Sequence, residues 1–284
     1  MRLATIRTAE GSQCAARQEQ DGYTPLPYPD LGALLADPSG LGRAAAASPA
    51  PIDPAGARLR PPIPRPGKIL CVGQNYRAHI AELGRETPTH PTLFAKYPEA
   101  LIGPDEAIML PPESTRVDWE AELALVIGRP VRRARGARAR AAIAGFTVLN
   151  DISMRDWQWR TAQWLQGKTF ERSTPFGPVL VTPEELGHEP DLDIVCEIDG
   201  HRYQQARTGD LVFGVVELVE YLSTIVTLQP GDVIATGTPG GVGAGMEPPR
   251  FLQPGTEVVT RIEGIGELRN RCEAEPATSE PASI

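Results

Sequence analysis

Two carboxylates lie two residues apart in the stretch 117–128, at the start of an otherwise apolar segment with the character of a β-strand. Because strand side chains alternate between faces, Glu120 and Glu122 share one face, about 7 Å apart along the chain. Like charges on a partly buried face are costly, and a cation, a basic partner or protonation of one carboxyl relieves that cost. A bound metal fits best, although a solvated edge strand with an acidic outer face also accounts for this stretch taken alone.

A third carboxylate, Asp151, lies where a predicted strand over 144–149 gives way to a predicted helix over about 152–166. An aspartate in that place caps the helix or serves as a metal ligand, and the residues leave both interpretations open. Three carboxylates with no neighbouring His or Cys form an oxygen-only site, which suits Mg²⁺, Mn²⁺ or Ca²⁺ rather than zinc. Such a site also leaves coordination positions for a substrate and water.

Two polar residues on the helix predicted after Asp151 share a face, because Arg155 and Gln158 are three residues apart. Arg155 has the donors to hold a substrate carboxylate through two hydrogen bonds. The alternative is an ordinary ion pair with Asp151 or Asp156, which the spacing allows equally.

His79 and Glu82 have the same spacing of three on a short helix predicted over 76–83. A carboxylate beside an imidazole fixes its tautomer and raises its basicity, which prepares a general base for water. An exposed surface pair is the alternative. A Gly-rich loop after the predicted strand 232–236 carries Thr238, which lies in a substrate-binding turn or in a plain connecting loop.

The elements that must position these residues are mostly strands, with no steady alternation of strands and helices. This pattern predicts a mixed α+β, strand-rich and mainly antiparallel fold. Further strands are expected at 68–73, 122–128, 178–182, 192–199 and 256–263, and helices at 31–35 and 214–224.

Proline marks the predicted division of the chain, because the segments 48–54 and 60–66 contain too much of it for regular structure. We expect a small N-terminal module with a Pro-rich linker over residues 1–65, a catalytic domain over 66–275, and a flexible tail over 276–284.

The net charge of −8 and the pI near 5.2 argue against a nucleic-acid partner, which would require a basic surface. No run of 18 apolar residues and no apolar secretion signal is present, so we expect a cytoplasmic protein with no membrane partner. The four scattered cysteines have no metal or redox spacing, and we expect them to be reduced.

Taken together and in this order, these segments resemble the fumarylacetoacetate hydrolase family over about residues 66–272. The matching pieces are Gly73-Gln74-Asn75-Tyr76 with His79 and Glu82, Asp118-Trp119-Glu120-Ala121-Glu122-Leu123, Asn150-Asp151 with Arg155-Asp156 and Gln158, Gly167-Lys168, and Thr236-Gly237-Thr238-Pro239. The resemblance implies a catalytic domain of the β-roll or β-sandwich type, commonly a homodimer. It also implies that Glu120, Glu122 and Asp151 hold the metal.

The same resemblance implies that Lys168, Arg155, Gln158 and Thr238 face the substrate, and we assign Tyr76 to substrate binding with them. One departure concerns the segment 74–75, where the founding hydrolase has an additional aspartate ligand and this chain has two amides. The substrate therefore cannot be taken from the founding name, and fold does not choose among the family's reactions.

Our leading hypothesis is hydrolysis of a C–C bond in a 2,4-dioxo acid of the acylpyruvate or fumarylpyruvate type. The keto acid would chelate Mg²⁺ or Mn²⁺, His79 oriented by Glu82 would deprotonate water, and Lys168 would stabilise the enolate charge. Decarboxylation or tautomerisation of an oxaloacetate-like or ring-cleavage-derived keto acid on the same metal site is the second hypothesis. A catalytically silent binding protein is the third.

Overall fold

A computed structural model describes residues 1–48, 50–82 and 86–276, apart from the side chains of residues 79, 81 and 82. Its strands are β1 Arg2–Thr8, β2 Gln13–Glu19, β3 Gly22–Pro25, β4 Ala57–Arg60, β5 Ile69–Gly73, β6 Thr92–Lys96, β7 Leu101–Ile102, β8 Ile108–Leu110, β9 Val117–Asp118, β10 Ala121–Ile127, β11 Ile143–Asn150, β12 Ser153–Met154, β13 Thr174–Val181, β14 Asp193–Ile198, β15 His201–Arg207, β16 Val233–Ala235, β17 Glu257–Ile262 and β18 Gly266–Ala274. Its α-helices are α1 Leu31–Ala36, α2 Gly40–Ala46, α3 Arg77–Glu82, α4 Ala137–Arg140, α5 Arg155–Gln158, α6 Pro183–Leu186 and α7 Val215–Ile225.

The largest sheet contains eleven strands within the described part of the chain, with β10 and β11 near its middle. Every residue of these two strands is buried, which is why both are almost continuously apolar. They pair antiparallel with Ala121 opposite Asn150, and β16 pairs with the other edge of β10. Parallel pairing of β16 with β5 then brings the end of β5 beside the end of β16.

A second sheet, in the order β15-β14-β17-β18-β8, packs against the middle of the first through contacts of β14 and β17 with β10 and β11. The alternating inward residues of the two sheets, such as Leu123, Val148, Ile194 and Val258, form one core cluster. Residues on the opposite side of the large sheet pack beneath α1 in a second cluster. The result is a sandwich that fixes the strand ends carrying the polar residues.

The predicted strand-rich, mixed α and β fold is confirmed. Each of the strands predicted from 68–73 onward has a counterpart, and the predicted helices at 31–35 and 214–224 correspond to α1 and α7. The domain division stays a prediction, and the leading strands are not isolated, because β1 pairs with β13 and β4 pairs with β1.

The long helix predicted over 152–166 is wrong. After β12 there is a single helical turn, α5, and a 3₁₀ turn at Trp164–Gly167. The chain folds back so closely that a Cβ on Gly167 would lie 2.4 Å from the backbone nitrogen of Gln158 and 2.5 Å from the Met154 carbonyl oxygen. Residues nine positions apart are well separated along a continuous helix, so this contact is incompatible with the predicted one.

All four cysteines are free, and three of them are buried. Within the described residues, no helix has the length and apolar character needed to cross a membrane. Residues 277–284 of the predicted tail lie outside the described part.

Candidate active site

Backbone pairing sets the positions of the three predicted carboxylates. Asp151 donates its backbone N–H to the Glu120 carbonyl at 2.8 Å, and the Asn150 side chain accepts the Glu120 N–H at 2.9 Å. These bonds continue the β10–β11 register past its end, where Ala121 is opposite Asn150. As a result, carboxylate oxygens of Glu120, Glu122 and Asp151 lie within 4.8 Å of one another, and all three residues are buried.

Two lysines neutralise part of this charge. The Lys168 ammonium donates to Glu120 Oε2 and to Asp151 Oδ2, each at 2.7 Å, and Lys96 donates to Asp151 Oδ1 at 2.7 Å. Burial alone would raise the pKa of Asp151, but Lys168 and Lys96 outweigh it and hold that pKa below its ordinary value. Burial would likewise lower the pKa of Lys168, yet Asp151 and Glu120 raise it, so Lys168 remains a cation.

Arg155 is held by a fourth carboxylate, Asp118, that the sequence analysis did not select. Its Nε and Nη2 both donate to Asp118 Oδ2 at 2.8 Å, and Nη2 also contacts Glu120 Oε1 at 2.6 Å. Its Nη1 donates to Gln158 Oε1 at 2.9 Å. Burial would lower the pKa of Arg155, but Glu120 and Asp118 raise it, and the guanidinium is a permanent and rigidly held charge.

Glu122 is the exception in the cluster. No cation among the described residues forms an ion pair with it, and Oε2 accepts only the Gly237 backbone N–H at 2.8 Å. Gly237 can approach because it has a φ of +101° and because a Cβ there would lie 2.9 Å from the Val72 carbonyl oxygen. Burial, together with Asp151 and Glu120, raises the pKa of Glu122 well above its ordinary value.

These features fit a divalent cation. An ion held by Glu120, Glu122 and Asp151 would have three buried carboxylates as ligands, and it would neutralise the one carboxylate that lacks a cationic partner. An all-oxygen donor set is the kind that Mg²⁺, Mn²⁺ or Ca²⁺ uses. The donor set alone does not choose among them.

A cavity of about 320 Å³ opens onto the cluster, near the lower end of the roughly 300–1,000 Å³ typical of ligand pockets. Its lining combines the charged residues with aromatic and small ones. The lining residues are Val72, Gly73, Gln74, Phe94, Glu120, Glu122, Arg155, Gln158, Trp159, Trp164, Lys168, Thr238, Val242, Ala244 and Gly245.

The structure therefore brings together most of the residues predicted to face the substrate. Arg155, Gln158, Lys168 and Thr238 all line the cavity. The Thr238 hydroxyl donates to the Ala121 carbonyl at 2.9 Å and accepts from a neighbouring amide, so it retains only acceptor capacity for a ligand.

Tyr76 is not brought to the cavity. Its side chain is fully buried, none of the described residues bonds its hydroxyl, and it is absent from the lining. Burial and the nearby Glu122 and Asp210 raise the pKa of Tyr76, which keeps the phenol protonated. Its assignment to substrate binding stays a prediction that this placement does not support.

His79 and Glu82 belong to α3, but their side chains lie outside the described part of the structure. The backbone of α3 begins at Arg77, three residues after the cavity residue Gln74. The proposed base and its partner therefore remain a prediction.

Asp118 and Lys96 were missed by the sequence analysis, as was the cavity's aromatic side. Asp118 belonged to a quoted motif but had no assigned role, although an aspartate beside the paired glutamates was a usable signal. Lys96 ends β6 and reaches Asp151 across 55 residues of sequence, a contact with no local signature.

Residues 68–273 match the family described as Fumarylacetoacetate (FAA) hydrolase C-terminal. The oxaloacetate tautomerase FAHD2B, mitochondrial, of Bos taurus is 45% identical over 212 residues, which are 74% of this chain and 68% of that protein. The solved fumarylacetoacetate hydrolase of Exiguobacterium antarcticum superposes with a TM-score of 0.87 at 31% identity, over 97% of this chain and 100% of that chain. A 5-carboxymethyl-2-hydroxymuconate delta-isomerase from Mycobacterium smegmatis has a TM-score of 0.80 at 35% identity, over 97% and 99% of the two chains.

Proposed function

The chain belongs to the fumarylacetoacetate hydrolase family, and from that premise we propose that it is a divalent-metal-dependent enzyme that interconverts the enol and keto forms of a 2-keto acid. The observation that carries the proposal is the convergence of three buried carboxylates beside two cations, Lys168 and Arg155, at one cavity. The name of the bovine relative, a tautomerase, supports the same reaction class.

Glu120, Glu122 and Asp151 would hold a divalent cation, which would supply positive charge to stabilise the anion formed when such an acid loses a proton. Lys168 lies against two of these carboxylates and stays protonated, so its Nζ adds fixed positive charge where an enolate oxygen develops. Arg155 donates to Gln158 Oε1 and so fixes the amide, which leaves the Gln158 Nε2 as a donor for the substrate carboxylate.

Tautomerisation moves one proton between the enol oxygen and the carbon beside the carbonyl, and it needs no attacking water. The described residues supply the charge stabilisation and positioning that this reaction requires, while the enol oxygen gives its proton to solvent water and the carbon takes one from it. This is why we place tautomerisation ahead of hydrolysis, the leading hypothesis from the sequence. Decarboxylation of an oxaloacetate-like acid passes through the same enolate and belongs to the same proposal.

Hydrolysis of a C–C bond in a 2,4-dioxo acid is the second candidate. It is favoured by the place of α3, which carries His79 and Glu82 and follows directly on the cavity-lining segment 72–74. A histidine there could deprotonate a water that attacks the distal carbonyl. The name of the Exiguobacterium structure, a hydrolase, supports this candidate.

The proposal is tested by following the enol absorbance of oxaloacetate and of an arylpyruvate, together with release of pyruvate from acylpyruvates, with Mg²⁺ and after chelation. We expect the protein to accelerate enol loss only when metal is present. In Glu122→Gln this acceleration should be absent, and enol loss should fall to its rate in buffer. Glu217→Gln, which changes an exposed glutamate on α7, is the matched control and should retain full activity. Enol loss that is unaffected by chelation and by Glu122→Gln would exclude this site, and binding without any turnover would support a silent binding protein.

A further inference from the structure

With Glu122 ionised, as it must be to bind a cation, the charges buried around the candidate active site do not cancel. Within the described residues the cluster then contains four carboxylates and three cations, which leaves one net negative charge. These residues are Asp118, Glu120, Glu122, Asp151, Lys96, Arg155 and Lys168, all of them buried. A divalent cation would change the net charge to plus one, and a single substrate carboxylate would then neutralise it. A second carboxylate would leave an unbalanced anion where charges interact strongly.

The cations that line the described part of the cavity already have partners. Lys168 contacts Glu120 and Asp151, and all three nitrogens of the Arg155 guanidinium donate to Asp118, Glu120 or Gln158. One substrate carboxylate can be received beside Lys168 and the Gln158 amide. No further cation among the described lining residues is left for a second carboxylate.

Aromatic rings form the wall beside Lys168. The Phe94 ring lies 4.8 Å from the Lys168 ammonium, and its centroid is 5.5 Å from that of Trp164 in an edge-to-face arrangement. Trp164 covers Gly73 so closely that a Cβ there would lie 2.4 Å from the indole. Trp159, 57% exposed, adds a third aromatic ring to the cavity lining.

The remaining lining from the Gly-rich loop is uncharged. Val242, Ala244 and Gly245 contribute it, and Asp118 holds that loop in place by accepting the N–H groups of Gly243 and Ala244 at 2.7 and 3.0 Å. A flat apolar group would be buried between such surfaces, whereas a carboxylate there would lose water without gaining a partner.

We propose that the site selects 2-keto acids that have one carboxylate and an apolar, preferably aromatic, distal group over dicarboxylates such as oxaloacetate. This inference rests on the proposed function, because it takes the keto acid head to lie at the carboxylate cluster. It identifies Phe94, Trp164 and Val242 as specificity-determining residues.

The test uses three inert ligands that share an oxalyl head and differ only in the tail: N-isobutyloxamate, its near-isosteric dicarboxylate N-oxalylglycine, and the aromatic oxanilate. Binding to the whole protein is measured by titration calorimetry with Mg²⁺ and after chelation. We expect Mg²⁺-dependent binding in the order oxanilate, N-isobutyloxamate, N-oxalylglycine, with at least about a tenfold gap between the first and last. Equal or tighter binding of N-oxalylglycine would overturn the inference alone. Absence of Mg²⁺-dependent binding by all three would overturn the proposed function as well.

Two sets of variants locate the selectivity. Trp164→Leu should weaken the binding of oxanilate about tenfold and leave the affinity for N-oxalylglycine unchanged. The control Trp157→Leu changes a residue outside the cavity lining and should alter neither affinity. Val242→Lys should tighten N-oxalylglycine by about threefold or more relative to Val242→Gln, which controls for size and polarity. Unchanged ligand preference in both Trp164→Leu and Val242→Lys would contradict the assignment of these walls. The wild-type comparison decides the proposal even where a variant does not fold.

Discussion

Glu122→Gln should stabilise the metal-free protein and abolish its response to Mg²⁺. Glu122 is 1% exposed, and none of the described cations forms an ion pair with it. Glutamine has nearly the same shape and keeps an oxygen for the Gly237 N–H, so the substitution removes charge without creating a cavity. Mutational costs of burying an unsatisfied polar group are about 1–3 kcal/mol. We expect the free energy of unfolding of Glu122→Gln to exceed that of wild type by this amount at neutral and higher pH, equivalent to a rise of about 2–10 °C in Tm.

The stabilisation by Glu122→Gln should depend on pH, and the raised pKa of Glu122 determines that it increases as pH rises. Burial and the neighbouring Asp151 and Glu120 raise this pKa above the ordinary value of 4.5, so the folded state holds a proton that the unfolded state releases. The stability contributed by that proton is present below the ordinary pKa and is lost as pH rises through the folded-state pKa. Wild type and Glu122→Gln should therefore have similar Tm values in acid and diverge as pH rises.

The assay is thermal unfolding of chelated wild type, Glu122→Gln and the control Glu217→Gln over about pH 5 to pH 9, with and without Mg²⁺. Mg²⁺ at about 100 times its Kd should stabilise wild type and the control by about 2.7 kcal/mol, and should not affect Glu122→Gln. The wild-type shift should grow with pH, because binding must displace the proton on Glu122. A Glu122→Gln protein that is less stable than wild type at every pH, or that keeps the full Mg²⁺ shift, would refute this reasoning.

Three further outcomes are expected. Asp118→Ala should lower the free energy of unfolding, measured with urea, by about 3–5 kcal/mol. The reason is that it removes an ion-pair partner of Arg155 and the acceptor of two loop N–H groups. A loss below about 1 kcal/mol would show that the loop does not depend on Asp118. His79→Ala should lower acylpyruvate hydrolysis by about 10²–10⁴ if that reaction occurs, and should spare enol tautomerisation; equal losses in both reactions would contradict the separation of roles. We also propose a homodimer, for which light scattering should give about twice the 30.6 kDa chain mass, and a monomer at micromolar concentration would exclude it.

The strands around the site could be predicted from sequence because their residues are buried on both faces. The segments that became β10 and β11 are nearly all apolar, and the charged residues at their ends therefore stood out. Glu120, Glu122 and Asp151 were found in this way, and the structure shows that pairing of the two strand ends brings them together.

The segment after β12 could not be predicted by the same reasoning. The sequence predicted one helix over about 152–166, but the tryptophans at 157, 159 and 164 each have a different environment in the structure. Trp157 packs on Phe170, Trp159 is exposed at the cavity, and Trp164 contacts Phe94. Their positions follow from the backbone contact at Gly167 and from partners far away in sequence.

The roles of Lys96 and Asp118 depend on contacts between distant segments. Lys96 meets Asp151 because β6 joins the sheet through β5 and β16, and Asp118 meets the Gly-rich loop across 125 residues. No local spacing contains this information. The charge balance of the site, which underlies the inferred substrate preference, was therefore not predictable from the chain alone.

Deuterium exchange at C3 of 2-oxobutanoate in D₂O, followed by proton NMR, tests most directly whether a 2-keto acid is converted to its enolate at the carboxylate cluster. Exchange reports the enolate whether the natural reaction is tautomerisation, decarboxylation or hydrolysis. We predict that wild type and Glu217→Gln accelerate exchange only with Mg²⁺ or Mn²⁺ present, and that Glu122→Gln gives no acceleration above buffer with the same metal. Exchange that continues at the wild-type rate after chelation or in Glu122→Gln, or no acceleration by wild type with either metal, would contradict the account.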